Sequence, residues 1–279
     1  VSAKTIPPAV DRRERSRGTA RRLLTTIGYP LALIIVCLLL WQWIVKAFDI
    51  STVVLPAPTQ VFDVIKESPG LLLRYSRITG LEIVIGFLIA TGVGVPVGAA
   101  IFFSARVKKA IYPLLVSSQM VPKVALAPIF LIWFGSGSAS KYLVAFLVAF
   151  FPIVISTTLG LESVEPDMVR LFRSMGASTL ETMTKLRIPM ALPSLFGGLK
   201  VAMTLAVVGA VVGEFVAADA GLGYYILFSN GMLNTAAVYA GLFAITLLGV
   251  VLYFLVELAE FVLVPRGNRH RDRAPEATM

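Results

Sequence analysis

Side chains able to do chemistry are few and scattered in this sequence. Cys37 is the single cysteine and His270 the single histidine, so neither an internal disulfide nor a Cys/His metal cluster can form. Both have plain readings: Cys37 packs within an apolar run, and His270 belongs to a charged tail. No Walker-type phosphate loop occurs, so the chain holds no such ATPase site. No histidine cluster or pair of carboxylates at suitable depth supports a membrane-embedded enzyme. No catalytic residue, cofactor or metal is therefore expected. Two unusual sets remain. Lys123, Lys200 and Glu214 are charged residues inside long apolar runs. Residues 162–189 form a long polar segment with strong helix punctuation.

A charge in lipid costs roughly 2.5–3.5 kcal/mol on insertion scales, so each of the three must face protein or water. Lys123 lies between Pro122 and Pro128, and freed backbone groups at such breaks can line a cavity. One reading makes Lys123, Lys200 and Glu214 a translocation path. The other pairs Glu214 with Lys123 to fix helix register and lets Lys200 snorkel to the interface. Glu257 and Glu260 read as interfacial partners of the tail arginines.

The elements that position these residues are membrane spans. Apolar residues make up 57% of the chain and charged residues 15%, against about 45–50% and 25% in soluble domains. The mean hydropathy is +0.84. Uncharged runs near the roughly 20 residues that cross a bilayer recur along the chain. The spans are expected at about 23–45, 81–105, 110–134, 142–161, 191–217 and 236–264. The first is too long for a signal-peptide core and has no small-residue cleavage site after it. Residues 59–79 read as an amphipathic helix on the membrane surface. In the second span Gly86, Ala90, Gly94 and Gly98 recur every fourth residue, a stripe on which another helix can pack closely. The third span is interrupted by Pro113, Pro122 and Pro128. Residues 1–26 and 266–279 are basic tails around a permease body at 27–265, and disorder is expected in the first.

The net charge of +9 invites a nucleic-acid reading, but the basic residues flank the apolar runs, the pattern of membrane orientation. Eighteen of the 25 Lys and Arg fall on the side that holds both termini and the 162–189 loop. The positive-inside rule puts that side in the cytoplasm.

Glu165-Pro166-Asp167 starts a helix: proline suits the first turn and acids suit the positive end of the dipole. Gly176 can adopt the left-handed conformation that ends it. Ser178-Thr179-Leu180-Glu181 has the form of a capping box. Pro189 is expected to stop the second helix. Leu180, Met183 and Leu186 recur at three-residue spacing, ready to dock on a partner or to pack on the chain's own span ends.

This loop resembles the coupling loop of bacterial binding-protein-dependent ABC importer permeases. The family pattern is Glu-Ala-Ala, three residues, Gly, nine residues, then Ile-x-Leu-Pro. Here Gly176 precedes nine residues and Leu186-Arg187-Ile188-Pro189, while Arg170-Leu171-Phe172 replaces the acidic triplet. Leu55-Pro56-Ala57-Pro58, Pro122 to Pro128 with Trp133-Phe134-Gly135, and Gly213-Glu214-Phe215 followed by Gly221-Leu222-Gly223-Tyr224 resemble the nitrate/sulfonate/taurine branch. The stretch from Leu199-Lys200-Val201-Ala202 to Glu214-Phe215 looks most like permeases for thiamine-pyrimidine precursors or riboflavin.

The resemblance implies an all-α polytopic protein with six transmembrane helices, the type I ABC importer (MetI-like) transmembrane domain. It implies a homodimer in the bacterial inner membrane, cytoplasmic ABC ATPase subunits, and a periplasmic or lipid-anchored solute-binding protein. Arg173, Ser174, Met175, Gly176, Ala177, Ser178, Leu180, Met183, Leu186 and Pro189 would meet the ATPase. A small organic solute would cross by alternating access. Membrane lipid is the other expected partner, and nucleic acid is not one. A self-contained secondary transporter is the alternative, but no clear internal repeat supports it.

Overall fold

The computed structural model describes residues 12–217 and 219–264. No strand occurs among them. The helices, in order, are α1 (Arg12–Ala47), α2 (Pro58–Glu67), α3 (Pro69–Phe103), α4 (Ala105–Ser118), α5 (Ala127–Phe134), α6 (Ser138–Glu162), α7 (Pro166–Ser174), α8 (Thr179–Thr182), α9 (Ile188–Ala217), α10 (Leu222–Gly231) and α11 (Thr235–Leu263). A 3₁₀ turn at Lys123–Leu126 precedes α5, and a π segment at Met183–Arg187 joins α8 to α9.

Five of these helices are long and apolar enough to cross a membrane. The α4 and Lys123–Phe134 pair, bent by 86°, makes a sixth crossing if taken as one span. Helix direction supports that count. Gly86, Gly94 and Gly98 on α3 meet Ala145, Ile153 and Thr157 on α6 in rising order, so the two helices run parallel. A parallel pair needs a return crossing between its members, and α4 with α5 is the only connection available.

Helices α3, α6 and α9 form the core, and α6 packs most extensively on the other two. The small-residue stripe of α3 faces α6, as its spacing predicts. A Cβ built on Gly98 would lie 2.7 Å from both the Val154 carbonyl oxygen and the Thr157 Cβ, so the two backbones touch there. Gly209 on α9 makes the matching approach to Ala145, where a Cβ would lie 2.8 Å from the Ala145 Cα. Without hydrophobic drive between helices in lipid, such close packing is what holds a bundle together.

Several expected boundaries are corrected. The amphipathic helix ends at Glu67 and not near residue 79. Pro69 disfavours the α region at Ser68, which has φ −130° and ψ 48°, and then starts α3 in its own first turn. The second span therefore begins 12 residues before its expected start at Leu81. The backbone is helical from Arg12 onward, and Arg, Ala and Leu are strong helix formers. Residues 1–11 and the 266–279 tail lie outside the described residues. Pro189 does not stop a helix. The Ile188 N–H bonds to the Met183 carbonyl in the π pattern, and the chain continues into α9 with Pro189 in its first turn. A proline there removes no needed donor. Helix α10 was not expected at all.

Candidate functional site

The 162–189 loop is a rigid hairpin of short helices. At the end of α7 the Ala177 N–H donates to the Phe172 carbonyl (3.1 Å) and the Gly176 N–H to the Arg173 carbonyl (3.0 Å). With Gly176 at φ +85° this is the paired-bond glycine stop. The capping box then forms. The Ser178 Oγ accepts from the Glu181 N–H at 3.2 Å, and the Glu181 Oε2 accepts from the Ser178 N–H at 3.0 Å. The Lys185 ammonium pairs with the Glu181 Oε1 at 2.9 Å and braces the box from the next turn. Arg170 and Asp167 pair within α7.

The hairpin is tied to the bundle from beneath. Val164, Val169 and Leu186 form a small buried cluster with Met168, Phe172 and Met190. The Arg187 guanidinium donates to the Leu161 carbonyl at 2.7 Å and lies 4.8 Å from the centre of the Phe102 ring. Lys108 and Glu162 pair at 2.6 Å beside it.

The apolar residues of the loop divide. Leu186 is 4% exposed and belongs to the bundle, so it is removed from the docking face expected of it. Met183 is half-buried. Leu180 is 73% exposed, and Met175 and Leu171, at 66% and 57%, join it in facing solvent. Leu171 was passed over because the three-residue spacing was counted only after the glycine turn. Arg173, Ser174 and Ser178 are exposed around these three, and Ala177 is half-buried.

The three intramembrane charges do not meet. Glu214 is buried at the far end of α9. Its Oε1 accepts from the Thr79 hydroxyl at 2.6 Å, and its Oε2 accepts from the Gly223 N–H at 2.5 Å. The Thr79 Oγ1 in turn accepts from the Leu222 N–H at 2.8 Å. Glu214 and Thr79 thus cap the N-terminus of α10, whose first N–H groups have no partner within the helix. The spacing of Gly213-Glu214-Phe215 to Gly221-Leu222-Gly223 now has a cause. Gly221 at φ +119° turns the chain against the Glu214 carboxyl, and a Cβ there would overlap that carboxyl.

Lys123 does not pair with Glu214, which corrects that expectation. It lies in the 3₁₀ turn of the broken span, half-buried, with its ammonium 4.4 Å from the centre of the Phe151 ring. It makes no ion pair among the described residues. Lys200 pairs with Glu260 on α11 at 2.5 Å; the tail arginines expected as partners of Glu260 lie outside the described residues. The helical rise places Lys200 and Glu214 roughly 21 Å apart along α9.

Sequence reasoning missed the buried ion pair that does form. The Lys141 ammonium on α6 lies 2.8 Å from the Glu82 Oε1 on α3, with side chains 5% and 2% exposed. Lys141 stands one residue before the expected start of its span at 142, so span length alone leaves it outside the membrane. Glu82 carried the same signal as Lys123, a charge inside an apolar run, and was overlooked one residue past the expected start of its span. The Glu82 carboxyl adjoins that of Glu214, so two acids lie buried together at the end of the bundle opposite the loop, Glu82 paired with Lys141 and Glu214 held by Thr79 and Gly223. No group of His, Cys, Asp and Glu able to hold a metal ion occurs among the described residues.

Residues 72–268 match the family described as the binding-protein-dependent transport system inner membrane component. The formylaminopyrimidine transport permease protein ThiX of Halalkalibacterium halodurans is 38% identical over 212 residues, covering 76% of this chain and 85% of that protein. The riboflavin transport system permease protein RibX of Chloroflexus aurantiacus is 34% identical over 252 residues, covering 90% and 94%. The putative aliphatic sulfonates transport permease protein SsuC of Bacillus subtilis is 30% identical over 237 residues, covering 84% and 86%. Inward-facing structures of the MetNI methionine ABC transporter share the fold, with a TM-score of 0.60, 18% identity, and coverage of 70% of this chain and 97% of the other. The chain belongs to the binding-protein-dependent transport family: it is the multi-pass inner-membrane permease component of an ABC importer, a transport subunit and not an enzyme.

Proposed function

We propose that two copies of this chain form a transmembrane pathway that carries a small organic solute inward by alternating access. Both termini and the 162–189 loop lie on the cytoplasmic side, where the basic residues concentrate. One ATPase subunit seats on the loop of each copy. A periplasmic or lipid-anchored binding protein delivers solute to the opposite end. The formylaminopyrimidine and riboflavin permeases among the relatives support an organic heterocycle as cargo.

One observation carries this reading. Leu171, Met175 and Leu180 face solvent on a hairpin that the Gly176 turn, the capping box and Arg187 hold rigid. An apolar patch framed by polar groups marks an interaction site, and a rigid frame transmits force. ATP-driven closure of the ATPase pair would move the hairpin, and the Arg187 and Leu186 anchors would pass that motion to α3, α6 and α9. The energy comes from the differing affinity of ATP for the two states. Lys123, at the 86° bend, lines the path; Glu214 and Lys200 serve the frame. The exposed apolar faces of α1, α5 and α11 meet lipid or the second copy.

Leu180→Asp separates this reading from a purely structural loop. The variant complex should lose its ATPase on purification while its melting temperature stays within about 2 °C of wild type, because exposed positions contribute little to folding. Leu186→Asp should instead destabilise the permease itself. Full ATPase retention and wild-type uptake by Leu180→Asp would refute the assignment.

A further inference from the structure

The end of the bundle opposite the loop holds a cavity of about 410 Å³ between α2, α3, α10 and α11. Tyr75, Tyr224 and Phe228 line one side of it, and Glu67, Ser229 and Asn234 contribute polar atoms. The rings are ordered against each other. Tyr224 and Phe228 stack at 5.9 Å and 25°, and Tyr75 meets Tyr224 edge-on at 6.3 Å. Tyr75 also leans on the buried Tyr225 at 6.1 Å, which fixes its orientation.

The charge of the lining is one-sided. Neither Lys nor Arg is among its residues, and Glu67 is. Glu67 has no hydrogen bond or ion pair among the described residues. A neighbouring cavity of about 320 Å³ shares Glu67 and Asn234 and adds Asp63, one helical turn before Glu67 on α2. Two carboxylates and no cation repel sulfonate, nitrate and phosphate groups. They attract a donor: an amine or amidine-like N–H. The aromatic wall favours a flat ring. The volume lies near the low end of the roughly 300–1,000 Å³ range of ligand pockets, which suits one ring with small substituents better than a tricyclic system.

We infer that this cavity is a solute-selective site for a single-ring aromatic solute that carries an exocyclic amine. The ring lies on the Tyr224 and Phe228 faces, and an exocyclic amine donates to the Glu67 carboxylate. Selection then occurs in the permease as well as in any delivering protein. Position supports the role. Tyr224 lies one residue beyond Gly223, whose N–H Glu214 holds, so the aromatic wall is fixed by the buried Thr79–Glu214 cap. This inference rests on the reading of the chain as an importer permease with its loop end in the cytoplasm.

The test is saturation-transfer NMR on the full chain in lipid nanodiscs, with 4-amino-2-methylpyrimidine as probe and 2-methylpyrimidine and taurine as comparisons. The aminopyrimidine should bind, and taurine should not. Glu67→Gln should weaken aminopyrimidine binding about tenfold, as loss of a hydrogen bond to a charged group does, and leave 2-methylpyrimidine unchanged. Tyr224→Ala should abolish binding of both pyrimidines, while Tyr224→Phe, which keeps the ring and the fold, should retain it. Absence of aminopyrimidine binding, equal binding of taurine, or indifference to Glu67→Gln and Tyr224→Ala would overturn the inference. ATPase co-purification is scored on the same samples. ATPase retained without aminopyrimidine binding sinks this site and leaves the importer reading standing. Aminopyrimidine binding without any ATPase association sinks the importer reading instead.

Discussion

Replacing Lys141 by methionine removes the only cation that pairs with the buried Glu82 carboxyl among the described residues. The pair spans α3 and α6, with its charged atoms 2.8 Å apart and its side chains 2% and 5% exposed. It lies one turn from the place where a Cβ on Gly86 would come within 2.5 Å of the Ala145 Cβ, so the helices have no slack to admit water. Breaking a buried pair by deleting one partner costs about 3–5 kcal/mol, because an uncompensated charge stays behind. For a chain of this size each kcal/mol moves the melting temperature by about 2–4 °C, so Lys141→Met should lower it by roughly 6–20 °C. Glu82→Leu combined with Lys141→Met removes both charges and leaves Glu214 its own donors, Thr79 and Gly223. That double variant should recover most of the loss, since an apolar pair of similar volume is often neutral or better. The assay is fluorescence-detected size-exclusion thermostability at one heating rate, because irreversible unfolding makes the midpoint rate-dependent. A Lys141→Met shift under about 2 °C, or a double variant as unstable as the sum of the singles, would refute the ion pair as a structural joint.

Gly98→Ala should lower the melting temperature by several degrees, since overpacking costs about 1–3 kcal/mol and the obstructing Val154 carbonyl is backbone; Gly92→Ala, with open space around its Cβ, should not. Glu214→Gln leaves one carbonyl oxygen to serve two donors, the Thr79 hydroxyl and the Gly223 N–H. A deserted buried donor costs about 1–3 kcal/mol, so hydrogen exchange should rise at residues 222–231 and stay unchanged in the 162–189 loop.

What could be read from the sequence was local. The Gly176 turn and the Ser178–Glu181 box each depend on residues within a few positions of one another, and both formed. The α3 stripe was legible because helical period alone puts Gly86, Gly94 and Gly98 on one face. Pro189 misled because a proline ends a helix only where its missing N–H is needed, and a π segment had already shifted the bonding pattern. Leu186 misled because three-residue spacing marks a face without saying whether that face turns in or out. The Glu82–Lys141 pair joins residues far apart in sequence on two parallel helices, and neither helix alone says which charge it will meet. Helix α10 was hidden for a related reason. At 10 residues it is too short to register as a span, and its start is fixed by Glu214 and Thr79 from two other helices.

The two ends of the bundle are built in opposite ways, and that contrast bears on how a motion could cross it. At the loop end the connections are peripheral: Arg187 to the Leu161 carbonyl, Lys108 to Glu162, and a small apolar cluster under a solvent-facing hairpin. Such contacts let the hairpin be pushed as a unit. At the other end Thr79, Glu82, Lys141, Glu214 and the α10 N-terminus interlock α3, α6 and α9 out of water. Packed interiors transmit displacement and resist gradual deformation. In the transport cycle proposed above, the buried node is the fixed point about which a push on the hairpin would pivot the three core helices. The broken α4–α5 span, bent by 86° across the break that holds Pro122, packs on α6 and α9 from outside that node.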